Sequence, residues 1–168
     1  EYVINIRDIN SKEKKMQPQI VTKPAFTVVG LRIRTKPMTA EIPQLWGQFG
    51  PRMDEVPHLA EPGVSYGLME TLDPEMSQLD YMAGESVTKA DDLPTGMTSW
   101  TVPANTYAVF ETTLPAIGDT FGYIYNTWLP TAGYQKVAAP YFERYGETFE
   151  PDDPTATISI YIPVTKQA

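Results

Sequence analysis

Two periodicities take turns along the chain. Residues 25–34, Ala-Phe-Thr-Val-Val-Gly-Leu-Arg-Ile-Arg, are rich in β-branched and apolar types and predict a strand. From Thr39 the spacing changes: Ile42, Leu45, Trp46, Phe49 and Met53 recur at helical intervals, and Pro43 suits a first helical turn. Strand character returns over Val64 to Thr71 and Gln78 to Val87, which are separated by the turn-forming Asp73-Pro74-Glu75. A further strand, about Met97 to Val102, leads into the second half.

That half repeats the order. Thr106 to Thr112 alternates as a strand does, and Pro115 then opens a segment in which Ile117, Phe121, Ile124, Tyr125, Trp128 and Leu129 share a helical stripe. Pro130 and Gly133 end it. Tyr141 to Tyr145 predicts a short strand, and Ile158, Ile160, Ile162 and Val164 mark one face of another over Thr157 to Val164. Strand-helix-strand-strand therefore occurs twice, over about 20–90 and 97–165, each time with a tryptophan late on the helix stripe (Trp46, Trp128). Such hairpin-linked strands predict an α+β domain: a mainly antiparallel sheet with two helices packed on one side. Sixteen prolines and eleven glycines punctuate it, which favours short strands over long helices. Residues 1–19 read as a leader outside this domain, loosest over about 10–17.

Composition narrows the chemistry. Cysteine is absent, which excludes thiol catalysis, thiolate metal sites and disulfides. The single histidine, His58, lies in a loop between Pro57 and Leu59, a poor basis for a zinc site or a Ser-His-Asp triad. No Gly-rich phosphate loop or Gly-x-Ser-x-Gly elbow occurs. The acidic stretches Asp91-Asp92 and Glu150-Pro151-Asp152-Asp153 lack calcium-loop spacing. No metal and no cofactor is expected. No apolar run approaches a membrane span, so the expectation is a soluble, cytoplasmic protein with no membrane partner.

The net charge of −8 is unevenly spread. Residues 1–36 carry eight basic groups against three acids, whereas the rest carries five against eighteen. An acidic main body argues against direct nucleic-acid binding, because phosphate contacts need a basic face. The mixed run Lys12-Glu13-Lys14-Lys15 reads as a solvated leader or as the remnant of a linker.

One local pattern stands out among the carboxylates and aromatics that remain. On a strand, Tyr141, Glu143 and Tyr145 project to one face, with Phe142 and Arg144 on the other. Two readings stand. These are ordinary half-exposed groups, or the face is enclosed and Glu143 is a desolvated carboxylate ringed by aromatic surfaces that attract cations. Trp46 and Trp128 sit on apolar stripes where core packing is the default; the face of Trp100, between Ser99 and Thr101, is open. Tyr66 precedes Gly67, and a strand glycine marks either a bulge or a close approach.

Ordered along most of the chain are Pro43-Gln44-Leu45-Trp46, Leu79-Asp80-Tyr81-Met82-Ala83-Gly84-Glu85-Ser86-Val87, Pro103-Ala104-Asn105-Thr106-Tyr107-Ala108-Val109-Phe110, Thr127-Trp128-Leu129-Pro130, Phe142-Glu143-Arg144-Tyr145 and Ile160-Tyr161-Ile162-Pro163-Val164. Together they resemble the GyrI-like effector-binding family, the small-molecule domain of AraC- and MerR-type activators that also occurs as a stand-alone protein. The resemblance implies a duplicated strand-helix-strand-strand unit in a curved, mainly antiparallel sheet over about residues 20–168. It also implies hydrophobic, often cationic ligands bound around a buried glutamate, whose matching position is Glu143. Trp46, Tyr66, Trp100, Trp128, Tyr141, Tyr145 and Tyr161 are the aromatic candidates for the ligand site.

Three functions follow from this. The first is a stand-alone receptor for amphipathic cationic compounds, with a hydrophobic or cationic small molecule as partner. The second is a hydrolase of strained cyclopropane-bearing electrophiles, with Glu143 as general base. The third is an acidic interaction module that meets gyrase or a regulator, with a homodimer or a protein partner.

Overall fold

The computed structural model describes residues 16–168, so residues 1–15 of the expected leader, Lys12 to Lys15 included, lie outside the described part. Strands β1 (Gln19–Lys23) and β2 (Phe26–Thr35) lead to helix α1 (Glu41–Phe49), which tightens into a 3₁₀ stretch at Gly50–Glu55. Next come β3 (Ser65–Thr71), β4 (Leu79–Val87), β5 (Thr98–Val102) and β6 (Asn105–Thr113). Helix α2 (Ile117–Tyr123) runs through a π-helical turn, Ile124–Trp128, into a last short turn, Leu129–Thr131. The chain closes with β7 (Tyr134–Lys136), β8 (Tyr141–Tyr145) and β9 (Thr157–Lys166). This is the expected α+β architecture, with β1, β7 and the 3₁₀ stretch added to what the pattern predicts.

The strands form one antiparallel sheet in the order β1-β6-β9-β8-β3-β4-β2-β5, with β7 also paired to β9. This order forces curvature. Only Pro24 and Ala25 link β1 to β2, a link that spans at most ~11 Å. In a flat sheet those strands would lie ~29 Å apart, with five others between them at ~4.8 Å spacing. Pro103 and Ala104 impose the same condition on β5 and β6. The sheet curls until its two ends approach.

The two strand-helix-strand-strand halves, β2-α1-β3-β4 and β6-α2-β8-β9, meet where β3 pairs with β8. Gly67 and Glu143 pair with each other across that seam, at the centre of the sheet.

Alternation along the strands builds two apolar layers. Val29, Tyr81, Ala83, Phe110 and Ile160 meet Leu45 and Phe49 of α1 and Trp128 of the second helix. Val28, Tyr66, Leu68, Met82, Trp100, Tyr107 and Phe142 fill the other face, inside the curl. Both helices lie over the first face.

Candidate ligand-binding site

Where the helices part over the seam, a cavity of about 710 Å³ opens, within the range that accommodates drug-sized molecules. Helix α1 contributes Ile42, Pro43 and Trp46, and the second helix contributes Ile117, Phe121 and Tyr125. The sheet supplies Met69, Leu79, Tyr81, Tyr141, Glu143 and Tyr145. Met38, Met76 and Leu114, all exposed, form an apolar rim. Glu143 is the one charged side chain among the residues that line this space.

Glu143 is only 6% exposed, and it accepts a hydrogen bond from the Tyr145 hydroxyl. Burial pushes its carboxyl up to about 7, and the Tyr145 bond opposes that rise without cancelling it. The opposite strand makes room. A Cβ at Gly67 would overlap the Tyr81 hydroxyl and lie 3.5 Å from the Glu143 carboxyl carbon. Glycine is thus what lets a second strand's tyrosine reach the carboxylate. The Tyr81 hydroxyl accepts a 2.8 Å hydrogen bond from Trp46 Nε1, which fixes the indole on the cavity wall. Burial first, and then the Glu143 charge, hold the Tyr81 phenol well above its ordinary range.

The aromatic walls brace one another. The Trp46 and Tyr145 rings meet edge to face at 5.2 Å, and Phe149 lies 4.9 Å beyond Tyr145. Across the cavity Phe121 stands 6.4 Å from Tyr141, whose hydroxyl shares a 3.1 Å hydrogen bond with Thr71 Oγ1. Among the described residues no group of His, Asp or Glu gathers as metal ligands do, and no helix is long and apolar enough to cross a membrane. What the arrangement offers is an apolar, aromatic-walled space with one carboxylate at its centre.

Residues 19–164 match the Cass2 family, described as integron-associated effector binding protein. The chain belongs to this effector-binding family. Over 154 residues it is 36% identical to the transcriptional regulator BrlR of Pseudomonas aeruginosa, a match that takes in 90% of this chain and 56% of BrlR. The chain therefore spans little more than half the length of that relative. Two solved structures share the fold. An integron cassette protein from the mobile metagenome of Vibrio cholerae superposes with a TM-score of 0.67 at 22% identity, covering 89% of this chain and 96% of that one. SAV2435 bound to tetraphenylphosphonium gives 0.71 at 18% identity, covering 89% and 94%.

In this effector-binding domain the eight candidate residues divide by position. Tyr141, Glu143, Tyr145 and Trp46 border the cavity. Trp128 lies on the same side of the sheet but below the cavity, packed on Phe110 at 5.3 Å and stacked with Tyr134 at 5.8 Å. The other three occupy the opposite face. Tyr66 donates a 2.6 Å hydrogen bond to Glu61, Trp100 lies 3.8 Å beneath the Arg32 guanidinium, and Tyr161 stacks on Phe142 at 4.6 Å. Arg144 points there too, as strand alternation requires, and pairs with Glu61 at 3.1 Å.

Sequence reasoning did not single out Tyr81, Met69 and Phe149 as cavity residues. Tyr81 had a usable signal: it shares a β4 face with Leu79 and Ala83, two residues away on either side. Phe121 and Tyr125 were visible on the helix stripe, but nothing local separates them from Ile124 and Trp128, which turn into the core.

Proposed function

We propose that this domain binds one amphipathic, cationic small molecule in the aromatic cavity, with Glu143 as its counter-charge. The observation that carries this reading is the isolation of Glu143. It is a buried carboxylate, with a pKa raised by burial, and no positive side chain lines the same space. A guest that brings a positive charge satisfies the carboxylate, and rings around it add about 0.5–2 kcal/mol per favourable contact. Such contacts impose few directional demands, which suits a broad set of lipophilic cations. The tetraphenylphosphonium held by SAV2435, on the same fold, is a molecule of this class.

The test is calorimetric titration with tetraphenylphosphonium, which is expected to saturate at one molecule per chain with a micromolar Kd. Heats no larger than dilution would overturn the proposal. Binding is also expected to change tryptophan fluorescence through Trp46, because Trp100 and Trp128 do not line the cavity. Trp46→Phe should remove most of that change, and an undiminished signal would put the guest elsewhere. A carboxyl group near 7 would also suit a general base. A cyclopropane-bearing alkylator incubated with the protein is nevertheless expected to be recovered intact by mass spectrometry, since the lining holds no second charged group to assist ring opening.

A further inference from the structure

Lys136 ends β7, the three-residue strand held only by β9. Its ammonium lies 4.3 Å from the centroid of the Tyr141 ring and 5.2 Å from that of Tyr125, and it donates a 3.3 Å hydrogen bond to the Tyr125 hydroxyl. Both tyrosines line the ligand cavity, whereas Lys136 does not. The lysine borders a separate hollow of about 270 Å³, together with Glu70 and Thr71. It makes no ion pair with Glu70 or with any other carboxylate among the described residues. Burial alone displaces its pKa, downward, with no neighbouring acid to offset it.

A cation therefore already rests on two rings of the wall, from outside. The negative π surface of Tyr141 and Tyr125 is partly spent on it, and each positive charge brought inside is repelled across the ring. On the inner side a single carboxylate is available. We infer that Lys136 is a specificity-determining residue that sets the charge limit of the cavity, admitting singly charged aromatic guests and rejecting doubly charged ones. This rests on the cationic-guest reading above and narrows its ligand class to monocations.

Three phenanthridines separate charge from shape: uncharged phenanthridine, ethidium with one positive charge and propidium with two. In the wild-type protein, ethidium is expected to bind about tenfold or more tighter than propidium, a repulsion of the size expected for unit charges ~10 Å apart in a partly buried setting. Lys136→Met should bring that ratio below about threefold while moving phenanthridine by less than about twofold; Lys136→Arg should keep the wild-type ratio. Lys136→Gln repeats the neutral substitution with a polar side chain, should Met perturb packing. A ratio unchanged in Met and Gln overturns the inference and leaves the cationic reading standing. An equal gain for all three compounds also overturns it, since that assigns Lys136 a purely steric role. Absence of ethidium binding to the wild type and to every variant overturns the cationic reading itself.

Discussion

Glu143→Gln is expected to weaken tetraphenylphosphonium binding about a hundredfold at pH 8, while an uncharged guest such as triphenylphosphine oxide shifts by about twofold or less. A buried charge pair that loses one member forfeits 2–5 kcal/mol, and a hundredfold is about 2.7 kcal/mol of that. The same substitution should make the protein more stable. The carboxyl group is raised from 4.5 to about 7 on folding, so between those values the folded chain holds a proton that the unfolded chain has lost. Wild-type stability therefore falls as pH rises through this window, by up to ~1.4 kcal/mol per unit and about 3 kcal/mol in all. Glutamine carries no such loss. Glu85, pushed up to about 6 by burial and the Asp54 charge, adds a similar slope to both proteins and drops out of their difference. Urea unfolding at pH 5 and pH 8 should show the variant gaining on the wild type only at the higher pH, and added cation should rescue only the wild type. Equal loss for charged and uncharged guests, or no stability gain at pH 8, would remove Glu143 from the role of counter-charge.

The second large effect is expected at the residue facing it. Gly67→Ala puts a methyl group onto the Tyr81 hydroxyl, at the end of a fully buried ring that must shift to make room. Overpacking of this kind costs about 1–3 kcal/mol, and displacing the hydroxyl also strands Trp46 Nε1, which adds about 1–3 more. A loss of about 2–6 kcal/mol is therefore expected in chemical unfolding, with cation binding lost alongside. Tyr81→Phe in the same chain removes the overlapping atom and should restore part of the stability, a positive coupling readable in a double-mutant cycle. If the double variant is as unstable as the sum of its parts, the clash is not at that hydroxyl.

Much of this was readable from spacing. The twofold strand-helix-strand-strand order came from the change between two- and 3.6-residue periods, and the shared face of Tyr141, Glu143 and Tyr145 came from alternation alone. What local pattern does not carry is which strand lies beside which. Gly67 opposes Glu143 through the seam between halves, across 76 positions of sequence, and no window of neighbouring residues encodes that pairing. The face of Trp100 was open for the same reason: it is decided by how the sheet curls. β1 was missed because its two apolar residues, Ile20 and Val21, are adjacent and do not alternate, and β7 because three residues leave too few alternations to count. On the second helix, the π-helical turn at Ile124–Trp128 departs from the regular 3.6-residue period, and one apparent stripe divides into a cavity side and a core side.

Gly67 faces Glu143 across the β3–β8 seam, where the two strand-helix-strand-strand halves meet. A pair of identical half-chains would repeat each residue and could not give an acid on one side without giving its copy as well. Because both halves belong to one polypeptide, one of them supplies the carboxylate and the other a bare backbone position that leaves room beside it.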